Sequence, residues 1–218
     1  MGFDNSYVQI NLDTIAQNLE AIQKKAGVPV MAVLKANAYG HGAVEFASLM
    51  ENAGADYLAV AYPIEGIELR QAGIKSPVMV LTAGTDSFEQ IINYGLEPGI
   101  PNMYSLKLLC DVLQKRGMTN YPIHIKLDTG MHRLGFMTEE MEELVGFLKT
   151  CDSVKVKSVY SHLAAADDPS CDDFTMNQIA LFKKNADMLT ESIGYKPLYH
   201  ILNSAGIERF TEYQFDMV

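Results

Sequence analysis

The sequence predicts an α/β chain folded as a (β/α)8 TIM-type barrel. Three observations carry this expectation. Short, almost continuously apolar runs recur along the chain, each is followed by a stretch with helical spacing, and no Gly-rich dinucleotide fingerprint follows the first run. Continuous apolar strands alternating with amphipathic helices imply a parallel sheet buried on both faces. Seven or eight such units suit a barrel better than a doubly wound sheet, which stays the alternative on pattern alone.

The elements follow in order. Val8, Ile10 and Leu12 alternate, Asp13 offers a helix cap, and Ile15, Leu19 and Ile22 share one helical face. The apolar run 30–34 closes abruptly on Lys35, a Gly-rich turn follows, and a helix through Val44, Ala47 and Met50 stops at Gly54. Runs at 57–62 and 77–82 precede helices at 64–72 and 88–94. A weak fourth run at 96–100, interrupted by Pro98 and Gly99, precedes a helix over 106–114. Strong runs at 122–128 and 154–162 lead into helices over 139–149 and 174–193. A seventh run spans 198–203, and residues 215–218 start an eighth, so the barrel is expected to be incomplete at that strand.

The length of 218 residues suits one domain, and no linker or composition shift divides it, so a single domain over 1–218 is expected. Barrels of this type typically run to ~250 residues, which leaves the chain slightly short. The net charge of −10 argues against a nucleic-acid or anionic-membrane partner. No apolar run approaches the ~18 residues needed to span a bilayer. The opening Met1-Gly2-Phe3-Asp4-Asn5 lacks the basic and apolar regions of a secretory signal. Cys110, Cys151 and Cys171 are too widely spaced for a disulfide framework or a Cys-x-x-Cys metal site, and read as small apolar residues. A reducing cytoplasm is the expected compartment.

In such a barrel the active site lies at the C-terminal ends of the strands. Those positions carry Lys35, the loop from Asp128 to Arg133, His162, and Asn203-Ser204. Lys35 places an amine at the barrel mouth, suited to a Schiff base with an aldehyde; a strand-end lysine reaching solvent is the plainer alternative. The two glycines in Asn37-Ala38-Tyr39-Gly40-His41-Gly42 permit close backbone approach to an anion such as phosphate, with Tyr39 as a phenolic donor. His41 suits loop packing equally well. Arg133 could grip a phenolate or carboxylate, or serve in a surface ion pair. Lys126 alternates with Ile125 and Leu127, so it should face the barrel interior and need a partner or a modification. His162 suits stacking on an aromatic ring or a place in the core. Asn203 and Ser204 suit phosphate contacts or an ordinary helix cap.

The stretch Val33-Leu34-Lys35-Ala36-Asn37-Ala38-Tyr39-Gly40-His41-Gly42 closely resembles the pyridoxal-phosphate (PLP) signature of the alanine racemase family. Lys126-Leu127-Asp128-Thr129-Gly130-Met131-His132-Arg133-Leu134-Gly135 is similar to that family's second motif, and Ser161-His162 and Asn203-Ser204-Ala205 match its later strand ends. The resemblance covers essentially the whole chain. It implies a PLP-dependent isomerase that interconverts L- and D-alanine for peptidoglycan of the cell wall. Lys35 would then be the catalytic, PLP-bearing lysine and one of two bases. Tyr39, Asn203 and Ser204 would lie at the cofactor phosphate, Arg133 at the phenolic oxygen and substrate carboxylate, and His162 on the pyridine ring. Lys126 matches a position carbamylated in many members, and no metal is implied. In the family the second base is a tyrosine from a C-terminal β-domain of the partner subunit, in a homodimer, and an arginine after the equivalent of Val218 meets the pyridine nitrogen. The chain is thus expected to be the N-terminal barrel alone, weakly active or inactive by itself. A serine or broad-specificity racemase and a non-catalytic PLP-binding or partner-docking barrel remain as alternatives.

Overall fold

In the computed structural model, which describes residues 8–218, seven parallel strands are hydrogen bonded in chain order. They are β1 (Met31–Val33), β2 (Tyr57–Val60), β3 (Val78–Val80), β4 (Glu97–Ile100), β5 (Tyr121–Lys126), β6 (Val154–Tyr160) and β7 (Leu198–His200). Around them lie α1 (Leu12–Ala26), α2 (Lys35–Gly40), α3 (Ala43–Asn52), α4 (Pro63–Gln71), α5 (Phe88–Asn93), α6 (Met103–Lys115), α7 (Met141–Leu148), α8 (Asp172–Ile193) and α9 (Ser204–Arg209). The opening residues on which the targeting expectation rests lie outside the described ones.

As expected, no eighth strand forms among the described residues; the backbone of 216–218 spans the gap between β7 and β1 without one. Met31 N donates to Val218 O (2.7 Å), Val218 N donates to Pro29 O (3.0 Å), and Asp216 N donates to Tyr199 O (3.1 Å). These bonds carry the ladder from β7 round to β1.

Apolar side chains occupy two compartments. The larger lies between the sheet and its helices and holds Leu58, Val60, Val78, Val80, Ile123, Ile125 and Val159. The smaller, of Ala59, Met79 and Tyr160, lies inside the barrel. A register shift between Ile123 and His124 sets the second compartment: Ile123 pairs with Val156, but His124 pairs with Ser158. The extra residue, Lys157, reverses which face the later residues of β6 present. Val154 and Val156 therefore pack outward, whereas Ser158 and Tyr160 turn inward opposite His124 and Lys126.

Gly99 on β4 is what makes room for Tyr160. A Cβ at that position would sit 2.5 Å from the phenolic oxygen and 3.2 Å from Val80 O. The weak fourth run, with its Pro98-Gly99 interruption, is thus a genuine strand whose glycine serves barrel packing.

The start of the chain departs from expectation. Residues 8–11 form no strand, and α1 is capped by Asn11, whose side chain accepts from Thr14 N (3.0 Å), with Asp13 inside the first turn. An asparagine two positions earlier satisfies the first-turn amides instead, so the helix starts sooner and Asp13 falls inside it.

Candidate active site

Lys35 leaves the end of β1 at the barrel mouth and is half-buried. The segment after it, α2, is not the simple glycine turn expected. Ala36, Asn37, Ala38 and Tyr39 all adopt left-handed backbone, with φ between 50° and 55°. For residues bearing a Cβ this costs roughly 1–2 kcal/mol each, so the turn must be held from outside. Glu65, at the start of α4, holds it: one carboxylate oxygen accepts from Ala36 N (2.6 Å), the other from Ala61 N (2.7 Å) and Tyr62 N (2.9 Å). Asn37 Oδ1 accepts from Ala43 N (2.7 Å) at the start of α3, and Ala38 is buried. Tyr39 is left exposed, its ring centre 5.9 Å from Lys35 Nζ.

Lys126 ends β5 and points into the barrel, as its alternation with Ile125 and Leu127 requires. It is 8% exposed, and its Nζ lies 5.2 Å from the centre of the Tyr160 ring. Burial, reinforced by the Arg133 guanidinium, lowers its pKa to about 8. Arg133 lies on a loop that folds back onto β5: Phe136 N donates to Lys126 O (2.8 Å) and Asp128 N to Phe136 O (2.9 Å). Gly135 permits this return, since a Cβ there would lie 2.5 Å from Asp128 N. Asp128 Oδ1 accepts from Gly130 N (2.9 Å) and His132 N (3.1 Å), bracing the loop from within.

His162 follows β6 and is half-buried. Its pKa falls to about 4, through burial first and then through the charges of Lys126, Arg133 and Lys35. Lys35, Lys126 and His162 lie at or just beyond the C-terminal ends of β1, β5 and β6, with Arg133 on the loop after β5, so these sequence-distant residues share one mouth. Gln178 of α8, fully buried, braces this strand end by donating to His162 O (3.2 Å) and accepting from Ala164 N (3.0 Å).

Asn203 is committed to structure. Its Oδ1 accepts from Gly206 N (2.9 Å) and its Nδ2 donates to Leu163 O (3.2 Å), which caps α9 and sets Ser204 exposed beside it. Sequence reasoning left capping and ligand contact open for Asn203, and the side-chain bonds are those of a cap.

Two groups of residues were not singled out from the sequence. Glu65 is one; its signal was only an acidic residue in the first turn of a helix. The other is a buried polar chain inside the barrel. Glu97 Oε2 meets His124 Nε2 (3.0 Å), His124 Nδ1 meets Ser158 Oγ (2.7 Å), and Ser158 Oγ meets His200 Nε2 (3.0 Å). His200 stacks on Tyr160 at 5.2 Å between ring centres. Alternation along β5 marked His124 as inward; the bulge in β6 hid Ser158.

Among the described residues, Lys35, Lys126 and Arg133 form no ion pair with a carboxylate. Unpaired cations at one mouth, beside a neutral imidazole and two hydroxyls, suit an anionic aromatic ligand, and the Lys35 amine adds the means to hold a carbonyl carbon. The fold and site thus define a parallel α/β barrel with a strand-end lysine in a cationic mouth.

The chain belongs to the family described as alanine racemase, N-terminal domain, whose profile matches residues 10–218. It is 36% identical over 217 residues to an alanine racemase of Synechocystis, covering 98% of this chain and 58% of that protein. An alanine racemase of Thermodesulfovibrio yellowstonii is 37% identical over 215 residues, covering 96% of this chain and 57% of the relative. The structure of an alanine racemase from Clostridium difficile in complex with cycloserine superposes with a TM-score of 0.90 at 33% identity, over 96% of this chain and 58% of that one. One from Bartonella henselae with covalently bound pyridoxal phosphate gives 0.86 at 26% identity, over 96% and 60%. The chain therefore spans less than two thirds of the relatives it matches. Among the described residues, no helix is long and apolar enough to cross a membrane.

Proposed function

We propose that this barrel is the PLP-holding part of an alanine racemase and works on alanine within a larger, dimeric, cytoplasmic protein that supplies D-alanine for peptidoglycan. The single observation that carries the proposal is the convergence of Lys35, Lys126 and Arg133 on His162 with no carboxylate among the described residues paired to any of the three cations. The donor set fits PLP, which is an aldehyde, a phenol and a phosphate on one aromatic ring.

When bound, PLP supplies an electron sink for charge developing at the substrate α-carbon. Everything else falls to the chain. The Lys35 amine would hold the aldehyde carbon and would move a proton to or from one face of the substrate α-carbon. Tyr39 and Ser204 donate their hydroxyls to the phosphate, with Asn203 holding Ser204 in place. Arg133 meets the phenolic oxygen and the substrate carboxylate. His162, neutral because its pKa lies near 4, offers a flat uncharged face to the aromatic ring. Lys126, with a pKa near 8, keeps part of its amine neutral at physiological pH, the form that adds to CO2. The resulting carbamate, formed with loss of one proton, would turn a costly buried cation into an acceptor for Arg133.

Racemisation requires a second base on the opposite face, which in the family belongs to the C-terminal β-domain. The 218 residues alone are accordingly expected to take up PLP but not to turn over at a family-like rate. The test is PLP titration followed by borohydride reduction and peptide mapping, with racemisation of alanine and serine measured in the longer protein. A reduced adduct at Lys35, lost in Lys35→Ala, together with preference for alanine, is expected. No adduct at Lys35 would leave the partner-docking reading in its place, and preference for serine would reassign the substrate.

A further inference from the structure

The cysteines were expected to be small apolar residues, and two of them meet. Cys110 lies on the buried face of α6, and Cys151 lies half-buried in the connection between α7 and β6. Their sulfur atoms are 3.3 Å apart although 41 residues separate them in sequence. A bonded pair sits at ~2.0 Å, so the two sulfurs stand 3.3 Å apart in contact but unbonded. Cys151 also lines a cavity of about 350 Å³, together with Lys149, Asp152, Lys155 and Tyr195, and it is the less buried of the two cysteines. The cavity adjoins the N-terminal ends of β5 and β6, the opposite end of the barrel from Lys35.

We propose that Cys110 and Cys151 form a reversible thiol–disulfide site, oxidised by exchange with a low-molecular-weight disulfide that enters this cavity. Cys151, the less buried partner, loses its proton and its thiolate attacks one sulfur of the incoming R–S–S–R. A mixed disulfide forms and R–S⁻ leaves, taking up the proton as R–SH. Cys110 then gives up its proton and attacks the Cys151 sulfur. The protein disulfide forms as the bond to R breaks, and the second R–SH departs. Two protein thiols lose two electrons and two protons, and one R–S–S–R is reduced to two R–SH.

The division of labour follows from the surroundings. Lys149 and Lys155 line the same cavity as Cys151 and favour an anionic disulfide there, with Asp152 partly opposing them. Burial, and then contact with Cys151, pushes the Cys110 thiol up, so Cys110 suits the resolving role within a preformed pair rather than first attack on a disulfide in solution. The product would tie α6 to the α7–β6 connection and close a long loop. Cys171, in the turn before α8, has no thiol neighbour among the described residues and serves as an internal control.

The experiment equilibrates the protein across ratios of reduced to oxidised glutathione, then alkylates free thiols and maps the peptides. Expected are a Cys110–Cys151 linked peptide that grows with the oxidised fraction, a Cys171 that stays alkylatable, and a Tm raised by about 5–15 °C. Cys110→Ala should halt the sequence at a glutathione adduct on Cys151. Separate alkylation of Cys110 and Cys151 at the most oxidising ratio would overturn the proposal, as would a glutathione adduct that persists on Cys151 in the unaltered protein.

Discussion

The ammonium of Lys126 sits over the ring of Tyr160 at 5.2 Å, inside the barrel and without an ion-pair partner among the described residues. Burial and Arg133 lower its pKa from 10.5 to about 8, with Asp128 opposing them. Between those values the unfolded chain binds more protons than the folded one, so this group's contribution to stability rises with pH across that window. At neutral pH the full cost of burying the charge is present. Lys126→Met is therefore expected to stabilise the protein by about 1–3 kcal/mol near pH 7 in CO2-depleted buffer. The gain should fade toward pH 10.5, as read by urea unfolding at both ends.

His162 and His200 are held neutral by burial first, with pKa values near 4 and 3 against an ordinary 6.5. Each depressed value means that the unfolded chain takes up protons first on acidification. Their contributions are thus intact above pH 6.5 and lost progressively as pH falls toward those lower values. Imidazole resonances followed by NMR should stay flat from about pH 8 to 5.5 for both residues. A midpoint near 6.5 for either would contradict its place among cations and apolar neighbours.

Tyr160 carries a buried hydroxyl without a hydrogen-bond partner among the described residues. Tyr160→Phe should be neutral or stabilise by about 1 kcal/mol, because an unmet hydroxyl is removed without loss of packing. Gly99→Ala presses a methyl group against that oxygen and should destabilise by about 1–3 kcal/mol. The double variant should recover much of the loss. Additive effects in the cycle would mean that the two side chains do not meet.

Glu65 binds three backbone amides from two segments. Hydrogen bonds to a charged acceptor contribute about 1.5–3 kcal/mol each, but shared anchoring makes them non-additive. Glu65→Ala is expected to cost about 2–4 kcal/mol and to weaken borohydride trapping of PLP at Lys35 several-fold, because the left-handed turn relaxes. Glu65→Gln should fall between, since one amide oxygen replaces two carboxylate oxygens. Unchanged trapping by Glu65→Ala would show that the turn holds itself.

Periodicity exposed the strand order because a sheet buried on both faces leaves continuous apolar runs, as in Val78–Val80. Lys35 and His162 stood out because each lies where an apolar strand meets a loop, Lys126 because it alternates with Ile125 and Leu127, and Arg133 as the cation of the loop beyond β5. Three features were not. The bulge at Lys157 leaves no local mark, because Val, Lys and Ser on either side suit a regular strand equally well. The left-handed run from Ala36 to Tyr39 contradicts the intrinsic preference of its own residues and exists only through contacts from α3 and α4. The meeting of Cys110 and Cys151 is tertiary, and spacing cannot report it.

The hydrogen bond from Met31 to Val218 joins the strand that delivers Lys35 to residues far along the chain. Contacts of such separation are costly to close and set the pace of folding. The lysine-bearing strand is flanked on one side by β2, a neighbour made early, and on the other by a segment synthesised much later. Competence to bind at the mouth is therefore a late event in the life of the chain, tied to ring closure rather than to the local motif that marks the site.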